Sequence, residues 1–285
     1  MKQTGEIVGV IRRNKGYSQK YVSSGALTQG AYSKFETQNT DIGRATFDYI
    51  LTKLELSYEE FKYIENEYNH NERDKLLNKL FDLSYNDKEV LQSLLEESTI
   101  YLKQKDDILV KDISRVCNAL ILLSKTNDIE QARIPLMEVW ERLSKRNLFY
   151  ISDLYFINTI LFLFPLESAL EIKKFAFRSI NKYKNFQKIE RLKINFSINI
   201  MLLLMKAHRF EDALIENEHA ICLCKKYSDY LRLAICYIRK GICINQLNAS
   251  GDEWINKGKN ILTVIEECKI LNILEEEIVR YNKKV

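Results

Sequence analysis

Ile11-Arg12-Arg13-Asn14-Lys15-Gly16-Tyr17-Ser18-Gln19, followed by Thr28-Gln29-Gly30-Ala31-Tyr32-Ser33-Lys34-Phe35-Glu36, decides how the chain is read. Ser18 and Thr28 are hydroxyl residues of the kind that cap a helix start by accepting a backbone N–H. Each precedes a short run of helix-compatible residues, and a tight glycine-containing turn separates the two runs. The second run opens with Gln29 and carries Ser33 and Lys34, small or polar side chains able to reach base edges and phosphates. This is the layout of a helix-turn-helix, in which the second helix enters the major groove.

Working outward, five helices fit residues 1–66. Gly5–Asn14 places Ile7, Val10 and Ile11 on one side, and Arg44–Leu54 places Ala45, Phe47, Ile50, Leu51 and Leu54 at helical spacing. Ser57-Tyr58-Glu59-Glu60 has the pattern of a capping box. Residues 1–66 are therefore expected to form a DNA-binding domain, and the polar run 67–74 a linker.

Residues 75–285 read as helical hairpins at a coarse repeat. Polar turns followed by alanine recur at Asn127–Ala132, Leu166–Ala169 and Arg209–Ala213, with a blurred fourth unit around Ala249–Trp254. Ala169 and Ala176, and Ala213 and Ala220, lie two turns apart, where small residues let helices approach closely. Gly241 suits the same purpose on a first helix. Units of roughly 34–45 residues with two helices each indicate an α-solenoid. The whole chain of 285 residues holds only 2 Pro and 9 Gly, few breakers for such a length, and 46% apolar residues, enough for real cores. The fold class expected is all-α, a helix-turn-helix domain followed by tetratricopeptide-like hairpins.

The net charge of +4, from 43 basic and 39 acidic residues, is too mild to indicate nucleic-acid binding by itself. No apolar run suits a signal peptide, and the most apolar stretch, Tyr155–Leu166, is interrupted by Asn158 and Pro165. A cytoplasmic location without membrane contact is expected. The 6 cysteines are then reduced thiols. Neither they nor the 3 histidines have metal-ligand spacing, so core packing is the reading for the thiols. No phosphate loop, metal-hydrolase or nucleophile motif occurs, so no enzyme and no cofactor are expected.

Ile11-Arg12, Gly16, Ser18-Gln19, Gln29 and Ser33-Lys34-Phe35-Glu36, in their spacing, resemble the Xre or lambda-repressor-like helix-turn-helix family. With the alanine pattern and the Ser57–Phe61 ending, the whole chain resembles the Rgg/GadR/MutR regulators. The resemblance implies a homodimer that controls transcription at a double-stranded operator. It also implies a repeat domain that binds a short signalling peptide, with RNA polymerase as a further partner. Departures from the family are Gly30 where Ser is common, Gln38 where Gly is common, and Val22 in place of a small alanine.

Candidate residues follow. The family positions imply that Arg12 and Glu36 face each other and set the recognition-helix angle, a task suited to bidentate Arg. Gln19 stands where it can meet a phosphate, Gln29 where it can pair with adenine, and Ser33, Lys34, Arg13 and Lys15 are further DNA contacts. Counting back from the turn alanines puts Asn118, Asn158, Asn195, Asn199 and Asn245 on first helices of the hairpins, the inner side of a solenoid. Asn118 and Asn199 each stand fourteen residues before their alanine, and Arg239 falls near the same place in the fourth unit. An Asn amide can bracket one peptide unit, and Arg239 can meet a carboxylate. Two other readings remain open: a repeat-built protein-interaction scaffold, and a redox-responsive regulator with no peptide ligand.

Overall fold

The computed structural model describes residues 3–38, 40–83, 87–183, 186 and 189–282. All regular structure among them is helical. The chain divides into two compact units, Met1–Lys75 and Leu76–Val285.

The first unit contains α1 (Thr4–Asn14), α2 (Gln19–Ser23), α3 (Gln29–Gln38), α4 (Arg44–Lys53) and α5 (Tyr58–Glu65). The caps act as the sequence dictates. Ser18 Oγ accepts from the Tyr21 amide at 3.1 Å, Thr28 Oγ1 from Ala31 at 3.2 Å and Ser57 Oγ from Glu60 at 3.0 Å. At α5 only the Ser57 half of the expected capping box is made. The core gathers Ile7, Val8 and Ile11 of α1, Val22 of α2, Tyr32 and Phe35 of α3, Phe47, Ile50 and Leu51 of α4, and Phe61 of α5. Val22 is fully buried there.

Two glycines bring α1 onto α3. A Cβ on Gly5 would stand 1.9 Å from the Phe35 carbonyl oxygen, and one on Gly9 would stand 3.3 Å from the Glu36 carboxylate. The turn after α2 uses Gly25 at φ +93°, a conformation that L side chains rarely adopt. Tyr49 covers this turn and donates to the Ser24 carbonyl at 2.9 Å.

Residues 67–74 are only partly a loop. Helix α6 (Glu72–Phe81) begins inside that run, because Asn71 accepts the Asp74 amide at 2.8 Å and so caps it. The second unit continues with α7 (Lys88–Leu102), into whose core Leu76, Leu77 and Leu80 also pack. Four hairpins follow. The first pairs α8 (Ile108–Thr126) with α9 (Ile129–Arg133) and α10 (Met137–Ser144). Pro135, which lacks an N–H, tightens the segment between α9 and α10 into a 3₁₀ turn. The second hairpin is α11 (Ile151–Ile160) with α12 (Leu166–Asn181), and the third is α13 (Leu192–Lys206) with α14 (Phe210–Tyr227). The fourth is α15 (Tyr230–Gln246) with α16 (Asp252–Val264), and α17 (Cys268–Asn282) closes the series.

Ala132, Ala169, Ala176, Ala213 and Ala220 are all fully buried, as close helix packing requires. In the blurred fourth unit glycine takes this part. A Cβ on Gly241 would lie 2.5 Å from the Gly251 oxygen, one on Gly251 2.1 Å from the Gly241 oxygen, and one on Gly258 2.6 Å from the Ala234 oxygen.

Candidate nucleic-acid interface and ligand cavity

In the first unit, α3 turns Tyr32, Phe35 and Glu36 inward, which leaves Gln29, Gly30, Ser33, Lys34 and Thr37 on its outer side. Gln29 and Lys34 are exposed and Ser33 is half-buried. Thr28 holds the first turn of this helix. Beneath it, Arg12 makes the bidentate contact with Glu36, Nε to Oε1 at 2.6 Å and Nη2 to Oε2 at 3.0 Å. Arg12 also donates from Nη1 to the Tyr17 carbonyl at 2.7 Å, which ties the turn before α2 to the same carboxylate. Burial works to raise the Glu36 pKa. The hydrogen bonds from Arg12 and Gln19 outweigh it and hold the carboxyl below its ordinary value.

Gln19 is placed differently from the free phosphate donor expected. Its side-chain amide donates to Glu36 Oε2 at 2.9 Å, so one of its two amide hydrogens is committed within the unit. Lys15 also has an internal partner: it lies 3.5 Å from Glu55, which accepts from Tyr17 Oη at 2.8 Å. Arg13 is exposed near the end of α1. Gly5 and Gly9, whose missing side chains allow α1 to meet α3, escaped the residue reading. Their spacing of four on one helix face was the signal.

In the second unit, a cavity of about 420 Å³ opens on the first helices of the second to fourth hairpins. Asn158 of α11, Asn195 and Asn199 of α13 and Arg239 of α15 all line it, with Arg232 and Thr159. Its apolar wall includes Phe81, Phe162, Ile198, Leu202, Leu231 and Ile235, and α17 contributes Ile270, Ile273 and Leu274. Phe81 stacks on Tyr155, with ring centroids 4.3 Å apart. Amide groups set among apolar side chains are the usual make-up of a site for a partly polar organic ligand.

Each polar group is oriented by a neighbour. Asn199 donates to the Asn158 carbonyl oxygen at 2.9 Å and to Asn158 Oδ1 at 3.3 Å. Arg232 donates to Asn195 Oδ1 and pairs with Asp229 at 3.0 Å. Arg239 is buried and pairs bidentately with Glu277 of α17, Nε to Oε1 at 2.8 Å and Nη2 to Oε2 at 3.0 Å.

Two expected residues do not belong here. Asn118 is exposed on α8 and does not line the cavity. Asn245 serves the turn between α15 and α16: its Oδ1 accepts the Gly251 amide at 2.6 Å and its Nδ2 donates to Asp252 at 3.0 Å. Arg232 and Glu277 were not read from sequence. Arg232 carries a local cue, Asp229 three residues before it. Glu277 carries none, because its partner lies 38 residues away.

All six cysteines are free, with Cys117, Cys224, Cys236 and Cys243 buried and Cys222 and Cys268 exposed. Burial pushes the Cys117 and Cys243 thiols up to about 12, so neither is a thiolate near neutral pH. Among the described residues, no cluster of His, Cys, Asp and Glu is suited to hold a metal ion, and no helix is long and apolar enough to cross a membrane.

Neither a protein-family profile nor a curated protein sequence matches the chain. Solved structures do. A transcriptional regulator of Listeria monocytogenes EGD-e superposes with a TM-score of 0.77 at 17% identity, covering 98% of this chain and 96% of that one. Bacillus thuringiensis PlcR, solved with the peptide PapR7 and DNA, gives 0.70 at 14% identity, covering 98% and 99%. The pheromone receptor Rgg2 of Streptococcus dysgalactiae gives 0.67 at 15%, covering 100% of both chains. From end to end, the chain has the fold of the Rgg and PlcR regulators, a helix-turn-helix unit followed by tetratricopeptide-like helical hairpins.

Proposed function

We propose that this protein is a DNA-binding transcription regulator, working as a cytoplasmic homodimer and not as a catalyst, whose second unit binds a short signalling peptide. The observation that carries the reading is the pairing of two features in one chain. One is a helix-turn-helix with a polar outer face on α3. The other is a cavity lined by Asn158, Asn195, Asn199 and apolar side chains. The full-length likeness to PlcR, itself solved with peptide and DNA, supports it.

In this reading Gln29, Ser33 and Lys34 meet the DNA from α3. Gln19 offers its remaining amide hydrogen to a phosphate, and Arg13 and Lys15 add phosphate contacts. Arg12 and Glu36 act from beneath, by fixing α3 against α1. Asn158, Asn195 and Asn199 hold the peptide backbone, and the apolar wall takes its side chains. Peptide binding shifts the dimer between states of different operator affinity.

Selection of binding fragments from random duplex DNA by the full-length protein tests the first half. A regulator enriches one sequence, with affinity falling steeply as salt rises. Retention of no duplex at low salt returns the chain to the interaction-scaffold reading.

A further inference from the structure

Arg239 lines the cavity, and its pairing with Glu277 fastens α17 to α15. Both residues are buried, Arg239 and Glu277 each at 8% exposure. The guanidinium also donates from Nη1 to the Ile198 carbonyl at 3.3 Å, which uses three of its five N–H donors. A buried guanidinium does not lose its proton, so wherever α17 goes, Arg239 must keep an anion beside it.

The cavity is also small for what it is proposed to hold. Its volume of about 420 Å³ lies near the low end of the range of about 300–1,000 Å³ typical of ligand sites. One of its walls is α17, through Ile270, Ile273 and Leu274. A ligand in the cavity therefore lies against the helix that Glu277 fastens.

Resting on the peptide reading of this cavity, we propose that the ligand carries a carboxylate which takes the place of Glu277 on Arg239 and so unfastens α17 from α15. The exchange keeps a bidentate carboxylate on the guanidinium throughout, so no buried charge is stranded. A neutral ligand of the same shape has no such exchange available and leaves α17 in place. Glu277 is then an internal stand-in for the ligand, and its release carries occupancy of the cavity to the C-terminal helix.

The test uses full-length protein and three pools of octapeptides built from Gly, Leu, Ile, Val, Phe and Tyr. One pool has free C-termini, one has C-terminal amides, and one has amides with a single Glu. Captured peptides are identified by mass spectrometry, and hydrogen exchange is followed in Cys268–Asn282. The expected result is capture of an acidic pool about tenfold above the neutral amides, with faster exchange in α17. The pool captured tells whether the carboxylate is terminal or side-chain. Glu277→Gln should speed α17 exchange without any peptide and strengthen capture of the acidic pool. If that variant does not fold, the wild-type arms decide alone. Equal capture of neutral amides, or acidic capture with α17 exchange unchanged or slowed, overturns this proposal only. Capture of none of the pools overturns the peptide reading and this proposal with it.

Discussion

Glu36 is nearly closed to water and accepts three hydrogen bonds from two side chains, Arg12 and Gln19. Arg12→Ala therefore leaves a buried carboxylate with one neutral donor. It should destabilise the first unit by about 3 kcal/mol, read as faster hydrogen exchange in α1 and α3 with α8 unchanged. Exchange identical to wild type in all three helices would show that the pair does not hold this unit together. The pH response follows from the same group. The folded-state pKa of Glu36 lies below its unfolded value, so its pairing adds stability above the unfolded pKa, and that contribution is lost as pH falls through the folded one. Asp112 has the opposite sign. Its burial outweighs Arg142 and Arg115 and raises its pKa, so its charged form costs the second unit stability at neutral pH, a cost relieved on acidification. Unit-resolved exchange followed from pH 7 to below the ordinary carboxylate range of about 4 should show the α1–α3 contact weakening at the acid end, and Glu36→Gln should flatten that slope. The meeting of Arg12 with Glu36 was legible only through the family resemblance, whose positions imply it. The partners of Gln19 and Arg239 were not, since a sequence reveals that a side chain can bond but not which neighbour reaches it first.

The helices themselves were readable where a cap and a period coincide, as at Ser18, Thr28 and Ser57. The hairpins were readable from the buried alanines at 132, 169 and 213. What the periodicity concealed is how closely some helices approach. Gly5→Ala would drive a methyl into the Phe35 carbonyl. It should cost about 1–3 kcal/mol or more, seen as a lower denaturant midpoint for the first unit. An unchanged midpoint would mean that α1 and α3 stand further apart than described. Asn245 was misplaced for a related reason: it stands near the end of α15, where its side chain bonds Gly251 and Asp252 of the following turn and helix start, and Arg239 takes the place facing the cavity. On the outer side of α3, Gln29→Ala should weaken operator binding by about 1–3 kcal/mol and relax preference at one base pair. Footprints of wild type and variant that coincide at every base would move the contact elsewhere on α3.

At the scale of the molecule, a dimer that reads two half-sites should protect segments centred about one helical turn, roughly 34 Å, or a multiple of it apart on the duplex. Footprinting on a selected operator checks this, and a single protected half-site at saturating protein would argue for a monomeric reader. Asn199→Ala supplies the complementary measurement. It removes the amide that links α13 to the Asn158 carbonyl and should cost about 1 kcal/mol in stability, with a several-fold loss of peptide capture. DNA affinity without peptide should stay the same. A variant that loses DNA affinity in the absence of peptide would show that the cavity does more than receive a ligand.

The fourth hairpin is joined through backbone at Gly241, Gly251 and Gly258. Elsewhere in the second unit, buried leucines and isoleucines can drift among residues of similar volume. At these three positions every replacement adds atoms where a carbonyl already stands. A saturation mutagenesis library selected for folded protein should therefore show three nearly empty columns inside an otherwise permissive stretch. The same hairpin carries Arg239, two residues before the first of those glycines. Related chains can thus change the apolar wall of the cavity, and with it the side chains they accept, while the seat of the guanidinium stays in register.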